Sequence, residues 1–262
     1  MVNRLVILGS GAAPGVPSLS SGWGACDPNN VRNIRTRAGT YLEYKGLSIL
    51  IDTSPDLRMQ LLTNNIKHVD AVLYTHSHAD YINGIDDLRE INRISRRSLN
   101  FYTDKITLKA IKKRFDYVIA PSDCQDNACL APSLVPNEIK PNNPFYIKNV
   151  KITPLKLLGH KEASVGYCFD DGEYVHIADC KRLAQSVFKM ILRRPRVMTF
   201  PLTTLHEHDF HVDLSKILEY VEKINPEHVV INHMSTECDY NHINSITPGN
   251  IYPAFDGMTM EF

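Results

Sequence analysis

Four apolar runs, far apart along the chain, each stop at a residue type that binds metal ions. Residues 71–74 lead into Thr75-His76-Ser77-His78-Ala79-Asp80-Tyr81. Residues 153–159 are followed by His160, 175–178 by Asp179, and 229–232 by His233. Two histidines two apart at a strand end aim two imidazoles at one ion, and a carboxylate two residues on adds a hard anionic ligand. That mixture suits zinc, and also manganese or iron. A lone histidine is ordinarily a surface or satisfied side chain, and His160, Asp179 and His233 each have a plain reading as a turn, strand-end or capping residue. Together, ligand-type residues at successive strand ends are the way open sheets place active sites.

The remaining periodicity fits that frame. Short β-branched or apolar runs predict strands over 4–8, 40–44, 47–51, 71–74, 150–155, 165–169, 174–177, 197–200 and 229–232. Helical spacing predicts helices over 56–66, 104–115 and 213–224, and a helix-like segment from near Gly84. Asp213 is placed to cap the last predicted helix. Loops rich in Gly, Pro and Asn span 9–33 and 121–144. Strands followed by helices and strands, twice over, predict a mixed α/β chain (α+β) with two sheets and helices outside them.

Bulk properties bound the function. A length of 262 residues corresponds to one large domain or two small ones, and a single domain over 1–262 is expected. Hydrophobic residues at 43% and charged residues at 22% predict a soluble globular protein. Formal net charge is zero, which lowers the expectation of a nucleic-acid partner. Basic clusters at Arg93, Arg96 and Arg97, at Lys112, Lys113 and Arg114, and at Arg193, Arg194 and Arg196 read as solvated faces. No run reaches the ~18 apolar residues that span a bilayer, and the N-terminus reads as a strand rather than a secretion signal. Six cysteines form no C-x-x-C pair, so a reducing cytoplasm is the expected compartment. Cys124 and Cys129 read as ordinary loop thiols.

The segments LIDTSPDLRMQLL, AVLYTHSHADYINGIDDLR and HMSTECDY, with ILGSGAAPGVPSLSSGWGACDP, SVGY and the terminal DGM, resemble the metallo-β-lactamase superfamily over nearly the whole chain. The branch is similar to the phosphoribosyl cyclic phosphodiesterases of the carbon–phosphorus lyase pathway, and more distantly to tRNA 3′-processing endonucleases. The resemblance implies a four-layer αββα sandwich and a two-metal site. It implies one zinc held by His76, His78 and His160, and a second ion (zinc, manganese or iron) held by Asp80, residue 81 and His233. Asp179 would bridge the two, and Asp52 would orient the histidine loop from behind. It also implies a homodimer.

The chain departs from the family at Tyr81, where the pattern has histidine. A phenol is a poor zinc ligand at neutral pH, because its pKa lies near 10 and the phenolate is the ligating form. Three readings stay open: a weak second site, tyrosinate ligation that favours iron or manganese, or binding without turnover.

The implied chemistry is metal-assisted hydrolysis of a small or cyclic phosphate ester, with Asp80 orienting the nucleophile or accepting its proton. A general acid is also needed. The segment His206-Glu207-His208-Asp209-Phe210-His211 offers His211 first and His208 second. Alternatives are a tRNA 3′-processing nuclease, a carboxylic-ester, thioester or lactam hydrolase, and a metal-binding protein without turnover. The glycine loop 9–15 lacks a phosphate-binding pattern and reads as a turn supporting the metal loop. Cys26 sits where some relatives carry a structural zinc, but the partner cysteines are missing and that zinc is not expected.

Overall fold

The computed structural model describes residues 2–119 and 131–262. The chain divides into two compact units, each assembled from separate segments. Unit 1 comprises Met1–Gly9, Arg37–Ile139 and Gly257–Glu261; unit 2 comprises Ser10–Thr36, Lys140–Asp256 and Phe262. Elements below are numbered along the chain.

Unit 1 carries β1 (Arg4–Gly9), β2 (Gly39–Tyr44), β3 (Leu47–Ile51), β4 (Ala71–Leu73), β5 (Leu99–Asp104), β6 (Leu134–Ile139) and β15 (Met258–Glu261). They form one sheet in the order β15-β1-β2-β3-β4-β5-β6. The first three pairings are antiparallel and those from β3 to β6 are parallel. Parallel neighbours need crossovers, and three are made by helices: α1 (Leu57–Thr63), α3 (Leu88–Ser95) and α4 (Lys105–Arg114). A short α2 (Ala79–Ile82) precedes α3. Leu57, Leu61, Leu88, Ile91, Leu108 and Ile111 of these helices join Leu50, Val72 and Phe101 of the strands in one buried core.

Unit 2 repeats the plan with β8 (Val150–Leu158), β9 (Val165–Phe169), β10 (Tyr174–His176), β11 (Arg182–Leu183), β12 (Val197–Pro201), β13 (His228–Asn232) and β14 (Ile251–Pro253). Their order is β11-β8-β9-β10-β12-β13-β14, and β7 (Phe145–Ile147) pairs with β8. Pairings from β11 to β10 are antiparallel and those from β10 to β14 are parallel. The helices are α5 (Gln185–Met190), α6 (Leu214–Ile224) and α7 (Tyr240–Ile246). The Tyr220 ring of α6 stacks on Phe200 of β12 with centroids 6.4 Å apart. Asp213 caps α6 as expected, its carboxylate accepting the Lys216 N–H at 3.0 Å.

Two sheets, each with its own helices, give the layers expected from sequence. The expected loop over 121–144 is corrected by β6, which runs through it. Pro136 obscured that strand; proline cannot donate to a ladder and is tolerated at an edge, and β6 ends its sheet. Cys124 and Cys129 lie outside the described residues. Among the described residues no helix is long and apolar enough to cross a membrane.

One close approach positions the histidine loop. The Thr53 N–H donates to the Tyr81 carbonyl at 2.7 Å, and the Gly84 N–H donates to the Thr53 carbonyl at 3.0 Å. A Cβ at Gly84 would lie 1.9 Å from the Ser54 carbonyl oxygen. Gly84→Ala therefore forces two backbones apart and is expected to cost about 3 kcal/mol, the upper end of overpacking. Urea denaturation that leaves the midpoint unchanged would contradict this account of the loop.

Candidate functional site

The candidate residues fall in both units, and each set is built by local chemistry. In unit 1, β3 ends and Asp52 turns the chain with φ +65°. A non-glycine residue in the left-handed region needs a compensating interaction. Its N–H donates to the Leu73 carbonyl at 2.9 Å. Its buried carboxylate accepts the Thr75 N–H at 2.8 Å and the Thr75 hydroxyl at 2.9 Å.

That arrangement decides the state of His76. The Thr75 hydroxyl has one proton, and Asp52 takes it. At its 3.0 Å contact with His76 Nδ1 the hydroxyl is therefore the acceptor, and the imidazole carries its proton on Nδ1. Nε2 is left with the lone pair that ligates metal.

His78 follows, its ring 4.7 Å from that of His76. Its carbonyl accepts the N–H groups of Tyr81 and Ile82, which starts α2. Asp80 lies in the first turn of α2 and is partly exposed. Tyr81 is buried, with its ring centroid 4.3 Å from His76 and tilted by 52°. The phenol ring thus packs against a candidate ligand. Arg114, the last residue of α4, donates from Nη1 to the Ser77 carbonyl at 2.6 Å.

In unit 2 a glycine sets the first turn. Gly159 has φ +80°, and a Cβ there would meet Lys181 Cβ at 2.6 Å. His160 then lies with Nε2 at 3.8 Å from Asp179 Oδ2. Asp179 is buried beyond the end of β10. His233 follows β13 with φ +55°, and its Nδ1 lies 3.4 Å from Asp179 Oδ1. The His233 turn is held by the glycine loop: Met234 N–H donates to the Ser10 carbonyl and Ala12 N–H to the Met234 carbonyl. Asp256, of the terminal DGM, anchors that loop by accepting the Ser10 and Thr36 N–H groups and hydroxyls.

His211 joins the same set. Its Nδ1 lies 4.0 Å from Asp179 Oδ2, and its ring is 5.3 Å from that of His160. Burial, above all, pushes its imidazole down to about 4. The Thr203 hydroxyl bridges Nδ1 of His233 at 3.0 Å and Nδ1 of His211 at 3.3 Å. One hydroxyl proton cannot serve both rings, so at least one ring presents Nδ1–H to Thr203 and keeps its lone pair on Nε2. His208 is exposed at the edge, 5.1 Å from the His211 ring.

Unit 1 therefore gathers Asp52, His76, His78 and Tyr81, and unit 2 gathers His160, Asp179, His211 and His233. Thr75, Thr203, Asp256 and Arg114 complete the two sets, and sequence patterning does not single out any of them for these roles. A signal exists for Thr203, which follows a strand end like the others; the bonds of Arg114 and Asp256 are long-range and leave none. The donor set suits a divalent ion: imidazoles held at Nδ1 by hydroxyls, beside buried carboxylates.

The β-lactamase superfamily domain matches residues 48–234. The chain belongs to this superfamily. Over 258 residues, 97% of this chain, it is 31% identical to an octanoyltransferase of Porphyromonas gingivalis, and it spans about half of that protein, 51%. Among solved structures, a diphosphatase of the PhnP family is similar at 27% identity and a TM-score of 0.88, covering 100% of this chain and 98% of that one. Zinc-bound PqqB of Methylobacterium extorquens is similar in fold, at 19% identity and a TM-score of 0.76, covering 99% of this chain and 100% of that one. The chain is thus a metallo-β-lactamase-fold protein near the PhnP branch, and this fold implies divalent metal binding.

Thr75→Val keeps the side-chain shape and removes the hydroxyl that fixes His76. Metal affinity is expected to fall about 10–100-fold, the range for lost outer partners of ligand histidines. Chelator competition reads it, and an unchanged affinity would remove the hydroxyl from the account.

Proposed function

We propose that this chain is a metal-dependent phosphodiesterase-type hydrolase acting on a small phosphate ester. The observation that carries the reading is the His76 tautomer imposed by Asp52 and Thr75. The zero net charge of the chain favours a small substrate over a polynucleotide, and the likeness to a PhnP-family diphosphatase supports phosphoryl chemistry.

In this reading His76, His78 and His160 hold one zinc ion, and Asp179 bridges it to a second. Asp80 and His233 remain for a second ion, zinc, manganese or iron. A divalent ion, when bound, polarises a phosphoryl oxygen and makes water acidic enough to react near neutral pH. Asp80, partly exposed on α2, orients the nucleophile and accepts its proton. His211 gives a proton to the leaving oxygen. Its imidazole is uncharged in the ligand-free protein, and a phosphate anion beside it favours the protonated form. His208 is too exposed for the same task and serves the rim. Tyr81, packed on His76 where the family pattern has a histidine ligand, leaves the second ion weakly held.

The direct test is hydrolysis of bis(p-nitrophenyl) phosphate with zinc, manganese and iron in turn, with an octanoyl thioester as the contrasting substrate. Turnover of the diester is expected, and turnover of the thioester alone would overturn the reading. His211→Ala is expected to slow an alkyl diester about 100-fold or more, the range for general acids, and a p-nitrophenyl diester far less. Equal losses on both would take the proton-donor role from His211. Tyr81→His is expected to raise bound metal from about one ion per chain to about two, counted by elemental analysis. An unchanged count would mean that Tyr81 does not limit the second site.

A further inference from the structure

A concave surface lies within unit 2, away from the candidate ligands. It is built from the end of α5, residues 191–194 leading into β12, and the end of α6. β12 and β13 are parallel, and these segments stand at the starts of both strands. His233 follows the other end of β13. Five residues of strand, about 16 Å, separate the two ends. The cavity measures about 400 Å³, inside the roughly 300–1,000 Å³ typical of small-molecule sites.

Its lining divides by chemistry. Phe188, Ile191, Leu192 and Ile224 supply the apolar part, and Arg194 and Lys223 supply charge. Leu192 is 69% exposed, although burial would stabilise it. Nearby cations pair with carboxylates: Arg193 and Arg196 with Glu173, and Lys216 with Glu219. Among the described residues Arg194 and Lys223 have no such partner. Lys223 Nζ sits 4.0 Å from the centroid of the Phe188 ring. Arg194 donates from Nε to the Asn225 carbonyl at 2.8 Å.

The dipole of α6 favours cations near its C-terminal end, and the Arg194 bond satisfies a carbonyl there. That accounts for where Arg194 is held and leaves most of its guanidinium unused. With Nε engaged, the two Nη groups keep four N–H donors. Such a fork matches the paired oxygens of a carboxylate or phosphate. The wall beside it is fixed without a ligand, because the N–H groups of Leu192 and Arg193 both donate to the Asp171 carbonyl, at 2.8 and 3.1 Å. An apolar cavity with a tethered guanidinium and a second cation without a carboxylate is complementary to a ligand with an apolar body and an oxyanion head.

We propose that this cavity binds a small amphipathic oxyanion, its head paired with Arg194 and Lys223 and its apolar body against Phe188 and Leu192. The site does not depend on the phosphodiesterase reading. The probe is 2-naphthalenesulfonate, whose head is a poor metal ligand, and 2-naphthalenemethanol is its uncharged counterpart. Dissociation constants are measured calorimetrically on the metal-loaded protein and on Arg194→Gln, Lys223→Gln and Arg196→Gln. 2-Naphthoate and 2-naphthyl phosphate compete against the sulfonate, and the stronger competitor identifies the head as carboxylate or phosphate.

The native protein is expected to bind the sulfonate at one site, about 10-fold or more tightly than the alcohol, since hydrogen bonds to charged groups contribute on this scale. Arg194→Gln is expected to lose most of that preference and Lys223→Gln part of it. Arg196→Gln, outside the lining, is expected to keep it. Lys223 is exposed, so its variant folds and decides the matter if Arg194→Gln does not fold. No saturable binding by the native protein overturns the proposal. So does a preference that survives Arg194→Gln, which would leave Arg194 only a cap of α6. An equal loss in Arg196→Gln, which would reflect overall charge, or failure of both competitors to displace the sulfonate, overturns it as well.

Discussion

A buried carboxylate must find partners, because leaving its charge unsolvated costs several kcal/mol. In unit 1 that requirement organises the histidine loop. Asp52 is 2% exposed, sits at the end of β3, and takes two side-chain bonds from Thr75 beyond β4. The ends of two neighbouring parallel strands are thereby tied together. Thr53, next to Asp52, binds the Tyr74 hydroxyl at 3.1 Å and closes the same corner. Once Thr75 is fixed, its hydroxyl oxygen faces His76 Nδ1 as an acceptor.

Unit 2 reaches a similar end with different parts. Asp179 is equally buried, and three imidazoles lie within 4.0 Å of it. A threonine hydroxyl again sits against Nδ1, here shared by His211 and His233. In both units a short, uncharged group holds the Nδ1 edge of a candidate ligand ring. A hydroxyl suits this task because it both donates and accepts, so a carboxylate or a second histidine on its far side determines what it offers to the first. His233 and Asp52 both adopt left-handed backbone conformations, so part of the local strain is held by the same bonds that place the ligands.

The parallel strands were the most legible part of the fold. The runs 71–73 and 229–231 are apolar and buried throughout, which is how strands buried on both faces read. Strands at the margins escaped notice for physical reasons: β6 carries a proline, and β11 has two residues. α3 was expected only as a helix-like segment from near Gly84, without an end, because Asn92, a polar residue, faces the core and binds the Arg97 and Ser133 carbonyls. Within the candidate site, His76, His78, Asp179 and His233 were legible because strand ends concentrate functional residues. Gly159 and Gly84 were not, since a glycine demanded by one opposing atom is invisible until the fold brings that atom near.

The ligand-type residues and the groups that hold them explain why such a chain would bind a metal, and a shared ligand set cannot distinguish one phosphate ester from another. Discrimination has to come from side chains next to the ligands that do not themselves ligate. Tyr81 packs its ring on His76, while its N–H and carbonyl bond His78 and Thr53. Arg114 adds a charge to the same loop through a single bond to a main-chain oxygen. Both side chains bear on one six-residue stretch, from His76 to Tyr81, whose first residue is held through Thr75 by Asp52.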